Sequence, residues 1–214
     1  MEQPGWPKKL LLNLPLALQA ADWYAALQTS YHAVPDAETE SAQPSLDRFT
    51  SGQTAMYLGG REAVPALRQA ANFDWDVAPI PANHGRQSNV LLATAYCLSA
   101  ASSRKDAAWR FIEYAASLQG RAVLTAAGFG VPALRAAAES PAFLDPAARP
   151  AHGQVFLDAL GDTSPLPAIE NWPDIQLIVD DEIARAYYGR TPVADAMLAA
   201  VIRSEEYFKI HLTP

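Results

Sequence analysis

The sequence predicts an α/β fold, because amphipathic helical patterns alternate along the chain with short apolar runs typical of strands. The most regular helical patterns begin near Leu14, Ser103 and Asn171, and each repeats apolar residues at steps of three and four. Two apolar runs, Ala55–Leu58 and Asp76–Ile80, are bounded by glycine or proline, as short strands often are. With 214 residues, of which 50% are apolar, the chain can bury the core of one large domain or two small ones.

The first predicted helix starts after Asn13 and ends before Val34. Asn13 is the predicted N-cap, and Pro15 fits the first turn, where a missing N–H breaks no helical hydrogen bond. The acidic segment 35–44 is expected to be an exposed connection. The apolar positions at helical spacing predict the buried stripe, which consists of Leu16, Ala20, Trp23, Leu27 and Tyr31.

The middle of the chain is predicted to add a helix over Glu62–Ala71 and a long strand. Val90–Ser99 is the longest strand candidate, and because it is apolar on both faces we expect it at the centre of a sheet. Its Cys97 is the single cysteine of the chain, so no intramolecular disulfide can form, and it is expected to be buried and inert. Three tryptophans on apolar stripes or strands are expected in the core: Trp23, Trp75 and Trp109.

The remainder is predicted to be mainly helical. Ser103–Asp106 has the spacing of a capping box, and Gly128 is the expected C′ glycine after a helix over Arg121–Ala127. Asn171–Asp174 opens a further helix with proline at its first position, and Thr191–Pro192 opens the last one. The predicted buried stripe of the first of these two helices is Ile175, Val179, Ile183 and Ala186.

Composition and motifs argue against several classes of function. The formal charge is -7 and no block of Lys or Arg is present, so a nucleic-acid partner is not expected. No glycine-rich phosphate loop, serine-hydrolase motif or recognisable pair of metal ligands is present, so we expect no catalysis, cofactor or metal. The histidines are too scattered for a metal site: His32, His84, His152 and His211.

The N-terminal region imitates a signal peptide, since Lys8 and Lys9 precede the apolar patch Leu10–Leu16. Asn13 and Pro15 interrupt this patch, and no small-residue cleavage site follows it. The chain is therefore predicted to carry no signal peptide of its own. No apolar run approaches the roughly 20 residues that span a bilayer.

Six segments carry a resemblance to a known family. Phe49–Gly60 reads F-T-S-G-Q-T-A-M-Y-L-G-G, which is similar to an F-x-x-G-x-x-A-M segment followed by a glycine turn. The other five follow in the family's order, and they are Asp22–Leu27, Trp75–Pro81, Lys105–Ile112, Gly128–Ala133 and Gly189–Pro192. On these motifs the chain resembles the extracellular solute-binding proteins, family 1, of carbohydrate ABC importers. The resemblance implies a type II periplasmic-binding-protein-like fold.

The resemblance covers nearly the whole chain but only the C-terminal half of such a protein. It implies an incomplete two-lobed fold, in which residues 1–81 and 143–214 form parts of the C-terminal lobe and residues 82–142 return to the N-terminal lobe. It further implies a non-enzymatic component that binds a sugar or polyol and delivers it to the membrane permease subunits of an ABC importer. Such relatives are periplasmic, or anchored on the outer side of the membrane.

A sugar site needs planar side chains that donate or accept hydrogen bonds, an aromatic platform, and glycine turns that let the backbone approach. The glycine turn at residues 59–62, the loop before the longest strand, the turn after Gly128 and the start of the helix at Trp172 meet these needs where the family's loops converge. Arg61 would also suit an anionic ligand such as a glycerol phosphodiester. The candidate ligand-binding residues are Gly59, Gly60, Arg61, Glu62, Ser88, Asn89, Gly130, Asn171 and Trp172.

Each candidate also has a plain structural interpretation. The glycine turn can be a solvated turn with an exposed Arg61–Glu62 pair, Trp172 can be a packing residue, and Ser88 and Asn89 can form an ordinary turn. A second hypothesis for the whole chain is a truncated, stand-alone α/β protein without transport function. It would act through association with the missing N-terminal half or with a dimer mate, and a large exposed apolar patch would favour it.

Overall fold

The computed structural model describes residues 7–82, 85 and 87–209, and these form two compact units. One unit consists of residues 7–43 and 167–209, and the other of residues 44–166. The predicted loop over residues 82–88 lies partly outside the described residues, as do His84 and His211. The predicted assignment of residues 1–81, 82–142 and 143–214 to the lobes of a longer relative stays a prediction.

Ten α-helices and two strands are present in the described part of the chain. The helices of the first unit are α1 Pro15–Thr29, α2 Ala37–Ala42, α9 Trp172–Tyr187 and α10 Val193–Ser204, followed by a 3₁₀ turn, Glu205–Phe208. The helices of the second unit are α3 Ser45–Thr50, α4 Val64–Ala70, α5 Lys105–Ala116, α6 Leu118–Ala127, α7 Arg135–Ala138 and α8 Gln154–Asp158. Its remaining elements are the strands β1 Asn89–Leu91 and β2 Thr163–Pro165 and the 3₁₀ turns Arg61–Ala63 and Ala159–Asp162. None of the described helices has both the length and the apolar character of a bilayer span.

Helix α1 is confirmed, but its predicted buried face is wrong. Ala25 is buried, and Leu18 and Ala21 pack against α9 and α10. Trp23 is 58% exposed, so its predicted place in the core is wrong as well. Helix α1 has apolar residues on two sides, and within the first unit its small-residue side is the one that packs. Asn13 is not the cap, because Leu14 holds that position and no side chain caps the helix.

Helices α9 and α10 are confirmed, and so is the predicted buried stripe of α9. Pro173 lies in the first turn of α9, and Ile175 and Ala186 are buried. In α10, Met197 and Ala200 are buried and pack the helix into the unit. These helices were predictable because their capping signals and their packing partners lie within one short stretch of sequence.

The core of the second unit is centred on α4, whose helical pattern is confirmed. Ala63, Val64, Leu67 and Trp75 are buried together, so the predicted core position of Trp75 is confirmed. Gly128 ends α6 with φ 88°, a left-handed conformation that favours glycine. The side chain of Arg68 donates to the carbonyl of Ala126 (3.1 Å), which connects α4 to the end of α6.

Three strand predictions in this unit are wrong or only partly right. Ala55–Leu58 and Asp76–Ile80 are not strands, and the side chains of Met56 and Leu58 are exposed. Of the long candidate Val90–Ser99, only residues 90 and 91 fall in β1, which pairs in parallel with β2 so that Val90 lies opposite Ser164. A strand needs partners on its hydrogen-bonding edges, and the described residues supply this one short partner.

The segment that follows β1 is exposed where burial was expected. Leu92 is 77% exposed, and Cys97 is an exposed free cysteine, so the prediction of a central strand with a buried thiol is wrong. Helix α5 lacks the predicted capping box, because Arg104 is its N-cap and makes no side-chain capping bond. Trp109, on the outer face of α5, is 54% exposed and is not a core residue.

Candidate functional site

The glycine turn at Gly59 and Gly60 leads directly into the 3₁₀ turn before α4. The N–H of Gly60 donates to Oε1 of Glu62 (3.2 Å). A Cβ atom on Gly60 would lie 2.2 Å from Oε2 of Glu62, and one on Gly59 would lie 2.2 Å from the ring of Tyr57. Both glycines therefore leave room for neighbouring side chains that cover the turn. The Glu62 carboxylate remains exposed and can accept hydrogen bonds from a ligand.

Arg61 turns inward from the same turn and is only 4% exposed. Its guanidinium carbon lies 4.5 Å from the ring centroid of Phe143 and 5.3 Å from that of Phe156. Nε, Nη1 and Nη2 have no hydrogen-bond partner among the described residues. Burial, with a contribution from the charge of Arg68, lowers the pKa of Arg61 to about 10. The interpretation of residues 61 and 62 as an exposed charged pair is therefore wrong for Arg61.

Three further candidates lie in the second unit. Asn89 is half-buried and opens β1 opposite Thr163, and Ser88 before it is exposed. Gly130 follows α6 with φ 56°, and a Cβ atom there would meet nothing within 4 Å. These residues have the open surroundings that ligand contact requires, and their part in a ligand site stays a prediction.

Asn171 and Trp172 lie in the first unit, at the start of α9. The side-chain amide of Asn171 donates to the carbonyl of Tyr207 (3.2 Å). Trp172 packs against a buried cluster of Ile169, Ile175 and Phe208. Its indole Nε1 is buried and has no hydrogen-bond partner within the described residues. Trp172 thus has a packing role, while its unpaired N–H is a donor that a rearrangement or a ligand would satisfy.

In the part of the chain that the structure describes, each unit contains a cavity, and none of the nine candidate residues lines either of these cavities. The cavity of the first unit, about 410 Å³, lies between the end of α1 and the connection from α9 to α10, with Asp22, Thr29 and Arg190 among its lining residues. The cavity of the second unit, about 510 Å³, is lined by Phe49, Gly52, Thr54, Ala55, Phe73, Asp74, Trp75 and Asp76.

The second cavity was missed by sequence reasoning, although a signal for it exists. The run Phe73-Asp74-Trp75-Asp76 alternates aromatic and carboxylate side chains along the sequence. Here the run borders a cavity together with Phe49. The sequence therefore contained a signal for a surface that combines aromatic rings with hydrogen-bond acceptors.

The two carboxylates of this cavity are held by basic residues. Asp74 pairs with Nη2 of Arg149, whose Nη1 donates to the carbonyl of Trp75 (2.9 Å). Asp76 accepts from the N–H of His152 (3.1 Å), and its other oxygen lies 2.5 Å from Nδ1 of the same histidine. Burial alone raises the pKa of Asp76, but the hydrogen bonds from His152 and Val77 outweigh it and lower the pKa. Within the described ranges, no three His, Cys, Asp or Glu side chains are placed to hold a metal ion.

Comparison with solved structures identifies the fold. The ABC substrate-binding protein Lmo0181 from Listeria monocytogenes, in complex with cycloalternan, matches with a TM-score of 0.79 and 18% identity over 94% of this chain and 52% of its own. UspC from M. tuberculosis matches with a TM-score of 0.71 and 21% identity over 96% of this chain and 51% of its own. A candidate oligosaccharide periplasmic-binding protein from Synechococcus sp. MITs9220 matches with a TM-score of 0.65 and 15% identity over 96% of this chain and 55% of its own.

The chain therefore spans about half the length of these solved structures, and its predicted incomplete periplasmic-binding-protein-like α/β fold is confirmed. No curated protein matches the chain significantly. The model of the family described as bacterial extracellular solute-binding protein matches residues 3–151, which is more than half of the chain. The chain belongs to the bacterial extracellular solute-binding protein family.

Proposed function

We propose that this chain is the C-terminal half of a carbohydrate-binding component of an ABC importer. The observation that carries the proposal is the match to Lmo0181, which has a TM-score of 0.79 and whose structure contains cycloalternan. Family membership adds to it, because the matching family is that of bacterial extracellular solute-binding proteins. The chain would act outside the cytoplasmic membrane, together with the other half of its protein and with the importer's permease subunits.

The candidate residues fit the chemistry of a sugar or polyol. Glu62 offers an exposed carboxylate at the glycine turn, and the half-buried amide of Asn89 can both donate and accept. Trp172 offers an aromatic ring and an unpaired indole N–H. Arg61 anchors the glycine turn to the core, because its guanidinium is buried between the rings of Phe143 and Phe156. The carboxylate of Glu62 and the burial of the Arg61 guanidinium favour a neutral ligand over an anion at the glycine turn.

Removal of the Glu62 carboxylate is expected to lower sugar affinity at least ten-fold, or about 1.4 kcal/mol. The Glu62→Ala variant would be titrated with maltotriose, cellotriose and xylotriose by isothermal titration calorimetry, beside the unaltered chain. Glu38→Ala is the matched control, because Glu38 is an exposed glutamate on α2 outside the candidate site. Equal affinities of all three proteins for every sugar that binds would remove Glu62 from the site.

A second candidate function is association with another polypeptide, and the exposed segment after β1 favours it. The side chains of Val90, Leu92, Tyr96 and Leu98 are all exposed, in a stretch that has no strand partner beyond residue 91 among the described residues. Such a surface is one that a second chain would cover by adding strands or by packing on it.

Cell fractionation separates the two candidate functions. An antibody against this chain is expected to detect a protein of about twice 23.1 kDa in the envelope fraction, because the matching structures are about twice as long as this chain. A cytoplasmic protein of 23.1 kDa would instead support a stand-alone role through association, and would contradict the importer proposal.

A further inference from the structure

The cavity of the second unit combines aromatic walls with oriented hydrogen-bond acceptors. Its volume of about 510 Å³ falls within the several hundred cubic ångströms typical of small-molecule sites. Phe49, Phe73 and Trp75 provide the apolar lining, and Thr54, Asp74 and Asp76 provide the polar groups.

The aromatic wall is fixed by its own packing. Phe49 and Phe73 meet edge to face with their ring centroids 5.5 Å apart, and Tyr57 lies 6.1 Å from Phe49 on another side. Trp75 is buried beneath them in the core around α4. Phe49 and Phe73 are only half-buried, so part of each ring stays available for contact. Rings held in this way provide a surface for the C–H face of a sugar ring at little cost in conformational entropy.

The polar lining favours a neutral ligand over a cation. Asp74 already has the guanidinium of Arg149 as its partner, and Asp76 has His152. A bound cation would have to compete with these basic groups, whereas a hydroxyl donates to a carboxylate oxygen without displacing them. The Asp74 side chain is 95% exposed, and only its Oδ1 atom contacts Arg149, so it can accept a further hydrogen bond.

We propose that this cavity binds one ring of a neutral saccharide, with Phe49 and Phe73 packing on the ring and Asp74 and Asp76 accepting hydrogen bonds from its hydroxyl groups. The site is separate from the nine candidate ligand-binding residues, none of which lines the cavity. It rests on the proposed function for the class of its ligand, but its residues, and therefore its test, are different.

The site is tested by titrating the ¹⁵N-labelled full chain with maltotriose, cellotriose and xylotriose and following backbone and indole N–H signals. Saccharide binding in the cavity is expected to shift the signals of Gly52, Thr54 and the Trp75 indole. Shifts confined to Gly60, Asn89 and other candidate residues would overturn the cavity site and leave the proposed function standing. Shifts confined to residues of the cavity would support the cavity site and would show that the nine candidate residues do not contact the saccharide. No shift with any of the three sugars would overturn the cavity site, whereas the proposed function, which includes the other half of the protein, is decided by the cell fractionation.

Asp74→Ala is expected to weaken saccharide binding at the cavity at least five-fold while leaving the melting temperature unchanged, because Asp74 is exposed. Asp106→Ala is the matched control, an exposed aspartate on α5 that does not line the cavity. Unchanged affinity in Asp74→Ala would overturn the assignment. Tetramethylammonium serves as the cationic probe, and cavity shifts with this ion but not with the sugars would overturn the neutral-ligand proposal.

Discussion

Replacement of Arg203 by methionine is expected to lower the midpoint of urea unfolding clearly, because it leaves the buried carboxylate of Glu182 without its countercharge. Glu182 on α9 is 4% exposed, and its Oε1 accepts from Nη1 of Arg203 on α10 at 2.5 Å. The same Nη1 donates to Oδ2 of Asp181 at 2.8 Å. Methionine keeps the apolar stem of the side chain but supplies no hydrogen-bond donor.

Two further variants separate the buried pair from the exposed one. Asp181→Ala removes the exposed pairs with Arg203 and Arg185 and is expected to change the unfolding midpoint only slightly, as the loss of exposed ion pairs generally does. The double variant Glu182→Gln with Arg203→Met is expected to recover part of the loss, because an amide costs less to bury than a carboxylate. Urea unfolding followed by circular dichroism measures all three. Equal losses in Arg203→Met and Asp181→Ala would mean that Glu182 is not the important partner.

The importance of Glu182 could not be predicted from the sequence. The helical pattern places Ile175, Ile183 and Ala186 on the buried side of α9, and this part was predicted because it depends only on spacing. Glu182 lies beside that stripe, and whether it is buried depends on α10, whose Arg203 lies 21 residues further along the chain. A charge pair between two helices has no signature within either helix.

The long strand predicted over Val90–Ser99 was wrong because a strand depends on partners elsewhere in the protein. Val90–Ser99 has the composition of a buried central strand, and composition records what a segment packs against in a folded protein. The described residues offer it one parallel partner, at β2, and leave Leu92 and Cys97 exposed. Since the chain spans about half the length of its structural relatives, an apolar segment without a partner is understandable. Helices form their backbone hydrogen bonds locally, so the predictions of α9 and α10 did not depend on a partner elsewhere in the protein.

The candidate site was predictable at its backbone and not at its side chains. The turn at Gly59 and Gly60 was identified because two glycines next to a helix start are a local signal. Arg61 turns inward because Phe143 and Phe156 lie more than 80 residues away in sequence and surround it in the fold. The same long-range packing places Phe49 beside the run Phe73–Asp76, which creates the cavity.

Arg61→Ala is expected to destabilise the chain by about 3 kcal/mol, whereas Arg61→Met is expected to stabilise it by about 1 kcal/mol. Alanine leaves an empty space between Phe143 and Phe156, and cavities of this kind cost 2 to 5 kcal/mol, roughly, in protein cores. Methionine fills most of that space, and its thioether packs well against aromatic rings. It also removes a charge that makes no hydrogen bond from Nε, Nη1 or Nη2 to the described residues.

The sign of the methionine effect follows from the two energies involved. The pKa of Arg61 is lowered from 12.5 to about 10, and at about 1.4 kcal/mol per pH unit this corresponds to a cost on the order of 3 kcal/mol from burial and the charge of Arg68 together. The cation–π contacts with the two phenylalanines return about 1 to 2 kcal/mol. The charged form is therefore a net cost, which methionine removes.

The pH dependence supplies an internal check on this argument. Because the pKa of Arg61 is lower in the folded than in the unfolded chain, the burial cost is present in full below about pH 10 and declines only above it. The stability gained by Arg61→Met should therefore be the same at pH 6 and at pH 8.5, measured by urea unfolding. Equal losses in Arg61→Met and Arg61→Ala would mean instead that the guanidinium has a hydrogen-bonding partner that stabilises it, and that Arg61 supports the glycine turn through its charge and not through its volume.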